Sequence, residues 1–124
     1  MSNRNISVAF DASFGIFTRV ELGRFGWCSY VEVHQKAPKG APSWFFEECE
    51  EEDGDAFEEV CSLPQWHGGL SYSSLGGSPG RFVATFGDDY AHHWDQGVKY
   101  TQQDIERDVL VKAKAVRDFI KSLR

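Results

Sequence analysis

An α+β domain is what this sequence predicts: an antiparallel sheet packed in two layers by one C-terminal amphipathic helix. Three observations carry it. Alternating, β-branched runs fill the first third of the chain, a glycine-dense turn joins two more such runs between 70 and 86, and a long apolar repeat of helical period closes it.

The elements follow in order. Ile6–Phe10 and Ile16–Leu22 alternate apolar with polar or small residues and read as strands. A third, Trp27–Val33, sets Cys28, Tyr30 and Glu32 on one face and Trp27, Val31 and Val33 on the other. Gly23 and Gly26 bracket a tight turn between the second and third. Pro38-Lys39-Gly40-Ala41-Pro42 is a loop, because proline removes backbone donors and glycine admits unusual dihedrals. Ser43-Trp44-Phe45-Phe46 is apolar enough to dock on the sheet or form a short strand, and a helical turn fits Ala56–Val60. Leu70–Ser73 and Arg81–Phe86 pair as a hairpin across Gly76–Gly80. That hairpin leaves His67 and the stretch Asp88–Asp95 at one end, away from the turn.

The last helix, about 102–122, opens on a capping box, Thr101 with Asp104 three residues on. Ile105, Val109, Ala113, Val116, Ile120 and Leu123 form its apolar stripe. Lys112, Lys114, Arg117, Lys121 and Arg124 read as positive charge gathered toward the C-terminal end, where the helix dipole favours it.

At 124 residues the chain is one domain, 1–124, large enough for a real core. Nothing in it approaches the roughly 18–20 apolar residues of a membrane span, and Met1–Asn5 lacks the apolar core of a signal peptide. A cytoplasmic protein without membrane contact is expected. Cys28, Cys49 and Cys61 are odd in number and lack close pairing, so they read as reduced thiols rather than disulfides or zinc ligands. The net charge of −6 divides unevenly. An insert at about 47–59, a loop or short helix, holds Glu47, Glu48, Glu50, Glu51, Glu52, Asp53, Asp55, Glu58 and Glu59 with no base. The rest carries ten acids against thirteen bases. Such a block stays solvated and suits a basic groove on a partner protein, with Trp44 nearby as an apolar anchor. It disfavours direct nucleic-acid binding, which depends on Lys and Arg.

The chemistry-bearing residues gather in two segments, His67-Gly68-Gly69-Leu70-Ser71-Tyr72-Ser73 and Gly87-Asp88-Asp89-Tyr90-Ala91-His92-His93-Trp94-Asp95. The ligand-binding candidates are His67, Gly68, Gly69, Tyr72, Asp89, His92 and Asp95. Imidazole titrates near neutrality and carboxylates supply hard oxygens, so the set can bind a divalent metal ion, bind another ligand or perform acid–base chemistry. It also suits plain hydrogen bonding that locks a loop. The glycine pair offers exposed amides or simply a turn. Neither a nucleophile elbow, a phosphate loop nor a closed metal-ligand spacing is present, so catalytic residues, a cofactor and a metal centre are not expected from spacing.

These residues resemble a set of small phage, prophage and bacterial proteins that carry a His-Gly-Gly-Leu-Thr-Tyr-Ser motif, then Phe-Asp-Cys-Ala-His-x-x-Asp, then an amphipathic helix. His67–Ser73 match the first motif with Ser71 in place of Thr. Asp89, Ala91, His92 and Asp95 match the second, with Asp88 for Phe and Tyr90 for Cys, a departure that argues against cysteine chemistry there. Upstream, Gly26–Val31 is similar to the family's Cys-x-Gly-Tyr-Val strand, with Ser29 where glycine is usual. The resemblance implies a mobile-element origin and, with it, residence in a host cytoplasm.

Two functions are therefore expected. The first is a phage-type accessory protein that binds and inhibits a bacterial host protein or complex, such as a CRISPR defence system, through its acidic surface; a homodimer is compatible with it. The second is a binder or hydrolase of a nucleotide or small phosphate ligand that uses the His/Asp cluster.

Overall fold

The computed structural model describes residues 4–35, 41, 45–46, 55–78, 80–92 and 95–122, with side chains left aside for 4–9 and 55. Chain order is β1 (Arg4–Asp11), β2 (Ile16–Gly23), β3 (Gly26–His34), α1 (Asp55–Cys61), β4 (Tyr72–Gly76), β5 (Val83–Asp89) and α2 (Gln102–Ser122). The strands form one sheet in the order β1-β2-β3-β5-β4, and every pairing is antiparallel. With α2 laid across β2 and β3, the two-layer α+β architecture stands.

Alternation decides which side is covered. Ile16, Thr18 and Val20 of β2, Ser29, Val31 and Val33 of β3, and Ala84, Phe86 and Asp88 of β5 are all buried. The register places Ser29 opposite Asp88 and Val31 opposite Phe86, so these residues share one face. Helix α2 meets that face with Ile105, Val109, Ala113, Val116 and Ile120. Phe57 of α1 packs on Phe86 at 4.9 Å, and Trp66 lies over the same ring. On the other face Tyr30 and Tyr72 meet edge to face at 5.9 Å across Gly87, whose missing Cβ would strike the Tyr30 ring at 2.5 Å.

The capping box forms as the sequence reads. The Asp104 amide donates to Thr101 Oγ1 at 3.2 Å and the Thr101 amide to the Asp104 carboxylate at 2.9 Å, satisfying donors that the first turn leaves open. Phe45 and Phe46 do dock: both are fully buried, in a helical stretch rather than a strand, with Phe46 stacked near Phe82. The Pro38–Pro42 loop, apart from Ala41, lies outside the described residues, as do Trp44, Cys49, His93, Trp94 and the acids 47–53. Cys28 and Cys61 are free thiols.

Two sequence expectations shift. The fourth strand starts at Tyr72 rather than Leu70, and the fifth runs on to Asp89, so Asp88 and Asp89 belong to the strand itself. Tyr72 pairs with Gly87 and Gly76 with Val83, which is the hairpin expected across the Gly76–Gly80 turn. A larger correction concerns Lys112. The sequence groups it with the positive charges of the helix's C-terminal half, whereas it is buried at 3 % exposure on the sheet-facing side of α2. Among the described residues no helix is long and apolar enough to cross a membrane.

Candidate functional site

Three polar residues interrupt three otherwise apolar inward faces: Ser29 on β3, Asp88 on β5 and Lys112 on α2. They meet. Lys112 Nζ lies 2.6 Å from Asp88 Oδ2 and donates to Ser29 Oγ at 3.1 Å and to the Tyr90 hydroxyl at 2.8 Å. The Ser29 hydroxyl donates to the other Asp88 oxygen. Buried charges persist only when paired and hydrogen-bonded, and this cluster meets both conditions. Burial pushes the Lys112 ammonium below its ordinary range, while the Asp88 carboxylate opposes the shift. Burial likewise raises the Tyr90 phenol, with Asp88 and Asp108 adding to it. Tyr90 therefore remains a donor, and its hydroxyl donates a hydrogen bond to Asp108 Oδ2 at 3.0 Å.

This buried cluster positions the first motif. The backbone N–H of His67 donates to Asp88 Oδ2 at 2.6 Å, which ties the segment before β4 to the end of β5. Gly68 and Gly69 then turn the chain at φ 68° and 94°, and the Gly69 amide closes the turn on Trp66 O. They act as a turn. The His67 ring lies flat on Tyr90 at 4.0 Å and edge-on to Tyr100 at 5.9 Å, so its plane is fixed by aromatic neighbours.

The second motif converges on one carboxylate. His67 Nε2 is 2.8 Å from Asp95 Oδ1, and Tyr100 donates to the same oxygen at 2.6 Å. His92 approaches the other oxygen twice, with its amide at 3.0 Å and Nδ1 at 3.1 Å. Burial alone would raise the Asp95 pKa, yet the hydrogen bonds from Tyr100, His67 and His92 outweigh it and hold the value at about 2. An ionised carboxylate only accepts, so the two imidazole nitrogens facing it carry their protons. Tyr100 responds in kind: its bond to Asp95, and then burial, push the phenol up to about 12.

Outside this cluster is a cleft of about 540 Å³. Phe25 of the β2–β3 turn and Trp27 of β3 form one wall, His92, Asp95 and Tyr100 the polar floor, and Lys99 sits on the rim. Phe25 is 81 % exposed. A second hollow of about 570 Å³ at the same turn is lined by Arg24, Cys28 and Asp89. Trp27 holds the floor in place through its indole N–H to Tyr100 O at 3.3 Å and its carbonyl to the Tyr90 amide at 2.9 Å.

Of the sequence candidates, His67, His92 and Asp95 come together, and Asp89 stands beside them with Oδ1 3.8 Å from His92 Nδ1. Gly68 and Gly69 adjoin the cluster as its turn. Tyr72 does not join it; it is half-exposed against Tyr30 on the opposite face of the sheet. Of the acidic partner-binding candidates, Glu58 and Glu59 are exposed on α1. Sequence reading missed Tyr100, Trp27, Phe25 and Lys99 as site residues and Lys112 as its foundation. Lys112 did leave a signal: it falls three residues after Val109 and four before Val116, inside the apolar stripe.

Fold and site together define a two-layer α+β domain with a His–Asp–Tyr cluster on the floor of an aromatic-walled cleft. No protein-family model, curated protein or solved structure matches the chain.

Proposed function

We propose that this protein is a ligand-binding module that takes a small anionic ligand of the nucleotide or phosphate class in the cleft beside Asp95. The observation that carries the reading is the composition of that cleft. An exposed phenylalanine and a tryptophan offer flat apolar surface for a planar group, while Lys99 supplies positive charge for an anion. The floor is preorganised, because Asp95 and its donors are already bonded to one another. Binding then costs little reordering.

The test is a thermal-shift titration of the full chain in EDTA with AMP, ATP and inorganic phosphate. A nucleotide is expected to raise Tm by several degrees in the wild type and by less than half as much in Phe25→Ala and Lys99→Ala. Both side chains are exposed, so neither change should disturb folding. Equal shifts in the variants, or none in the wild type, would contradict the reading.

A second reading, an inhibitor of a bacterial host component, is supported by the exposed Glu58 and Glu59 at the end of the acidic segment. Replacing five acids within 47–59 by Ser is expected to weaken binding to a basic host protein at least tenfold and leave the circular dichroism spectrum unchanged. Unaltered binding would remove the segment from the interface.

A further inference from the structure

We infer that His67, His92 and Asp95 form a binding site for one divalent transition-metal ion of the zinc class. Donor chemistry and placement carry the inference. One ligand atom from each residue lies within 4.8 Å of the others, and the two shortest approaches, 2.8 and 3.1 Å, both run from an imidazole nitrogen to an Asp95 oxygen. Two imidazoles and a carboxylate are a recurring three-ligand set for zinc and for iron-type ions. Hard cations such as magnesium and calcium take oxygen ligands and are disfavoured by two nitrogens.

The groups around the three ligands are those a metal site needs. Metal ligands are aimed by a second layer of contacts, and the loss of one such contact costs about 10–100-fold in affinity. Here Tyr100 holds Asp95 Oδ1 at 2.6 Å, Tyr90 fixes the His67 ring by stacking, and Asp88 fixes the His67 backbone. The three ligands come from two segments, one before β4 and one after β5, so the ion would join the ends of the hairpin. His92 and Asp95 also line the cleft, so the remaining coordination positions would face it. That open arrangement distinguishes it from a closed, four-ligand structural site.

Proton balance is simple. In the metal-free protein His67 Nε2 and His92 Nδ1 each carry a hydrogen that bonds Asp95. On binding, each ring presents that nitrogen's lone pair to the ion and holds its single proton on its other nitrogen, while Asp95, already ionised, loses none. Each imidazole ligates through a lone pair, so metal ion and protons compete for the two rings.

The inference does not depend on the phosphate-class ligand, and its test uses metal ions alone. The full chain, stripped with EDTA and dialysed, is titrated with zinc chloride by calorimetry and with cobalt(II) by visible absorption. One ion per chain at micromolar affinity or tighter is expected, with cobalt d–d bands and no thiolate charge-transfer band. His92→Gln and His67→Gln should each weaken zinc binding at least 100-fold, and Tyr100→Phe about tenfold. A measurement free of variants guards against misfolding: long-range proton–nitrogen NMR of the histidine rings. Zinc should move the His67 and His92 nitrogens and leave His34 in place. No binding at 100 μM zinc, a thiolate band, or ring shifts confined to other histidines would overturn the assignment, leaving the cluster as hydrogen bonding that holds the loop.

Discussion

Replacing Lys112 by Met is expected to destabilise the protein by about 3–5 kcal/mol, the cost of leaving a buried charge without its partner. The side chains of Lys112 and Asp88 are 3 % and 0 % exposed, so solvent cannot take over the lost contact. The damage should reach the site. Asp88 also accepts the His67 amide, so an Asp88 left without its partner disturbs the anchor of the first motif. Restoring neutrality with Lys112→Met and Asp88→Asn together should recover part of the loss, because the Asn carbonyl still accepts from His67. Recovery should stop short of the wild type, since Ser29 and Tyr90 each lose a partner. Urea unfolding monitored by tryptophan fluorescence at pH 7 measures all three proteins. A loss below 1 kcal/mol in the single variant would show that the pair is not buried as described.

Acid is expected to remove a separate and comparable share of stability through Asp95. Its carboxyl is held at about 2 in the folded protein against an ordinary value of 3.8. A depressed carboxylate pKa means that the unfolded chain binds the proton more readily. The stabilisation is therefore complete above about pH 4 and disappears as pH falls toward 2. A gap of this size corresponds to about 2 kcal/mol at 1.36 kcal/mol per pH unit. Asp95→Asn should flatten that limb of the pH–stability curve while lowering stability at neutral pH, because an amide cannot accept from all four donors as strongly. The check is denaturant unfolding at half-unit steps between pH 5 and 2. An identical acid limb in both proteins would show that other carboxylates carry it.

What could be read ahead from the residues, and what could not, follows from how far each signal reaches. Ile105, Val109, Val116 and Ile120 announce α2 because a helical period is local, and Thr101 with Asp104 marks its start just as locally. The hairpin end was legible for the same reason: β4 and β5 are joined by a short glycine turn, so His67 and Asp88 had to lie near each other. Convergence on Asp95 was not legible. Whether His67 and His92 meet one carboxylate depends on where Asp95 and Tyr100 sit, and Tyr100 is held by Trp27 on β3, distant in sequence. Lys112 was read by its charge, whereas its position in the apolar stripe carried the truer information. Phe25 and Lys99 have no motif at all. They matter only because the sheet places the β2–β3 turn against the segment leading into α2.

Ser29, Asp88 and Lys112 therefore have a role beyond stability. They form a rigid polar base, and Tyr90 connects it to the cluster above: its hydroxyl meets Lys112 while its ring carries His67. A preorganised first layer supported by a second is what a binding site requires.

The most direct test of the binding reading is a proton–nitrogen NMR titration of the labelled full chain with a nucleoside monophosphate in EDTA. Saturable shifts at Phe25, Trp27, His92, Lys99 and Tyr100, with Glu58 and Glu59 unmoved, are the expected result. A lack of saturable shifts, or shifts centred on α1 and away from the cleft, would contradict it.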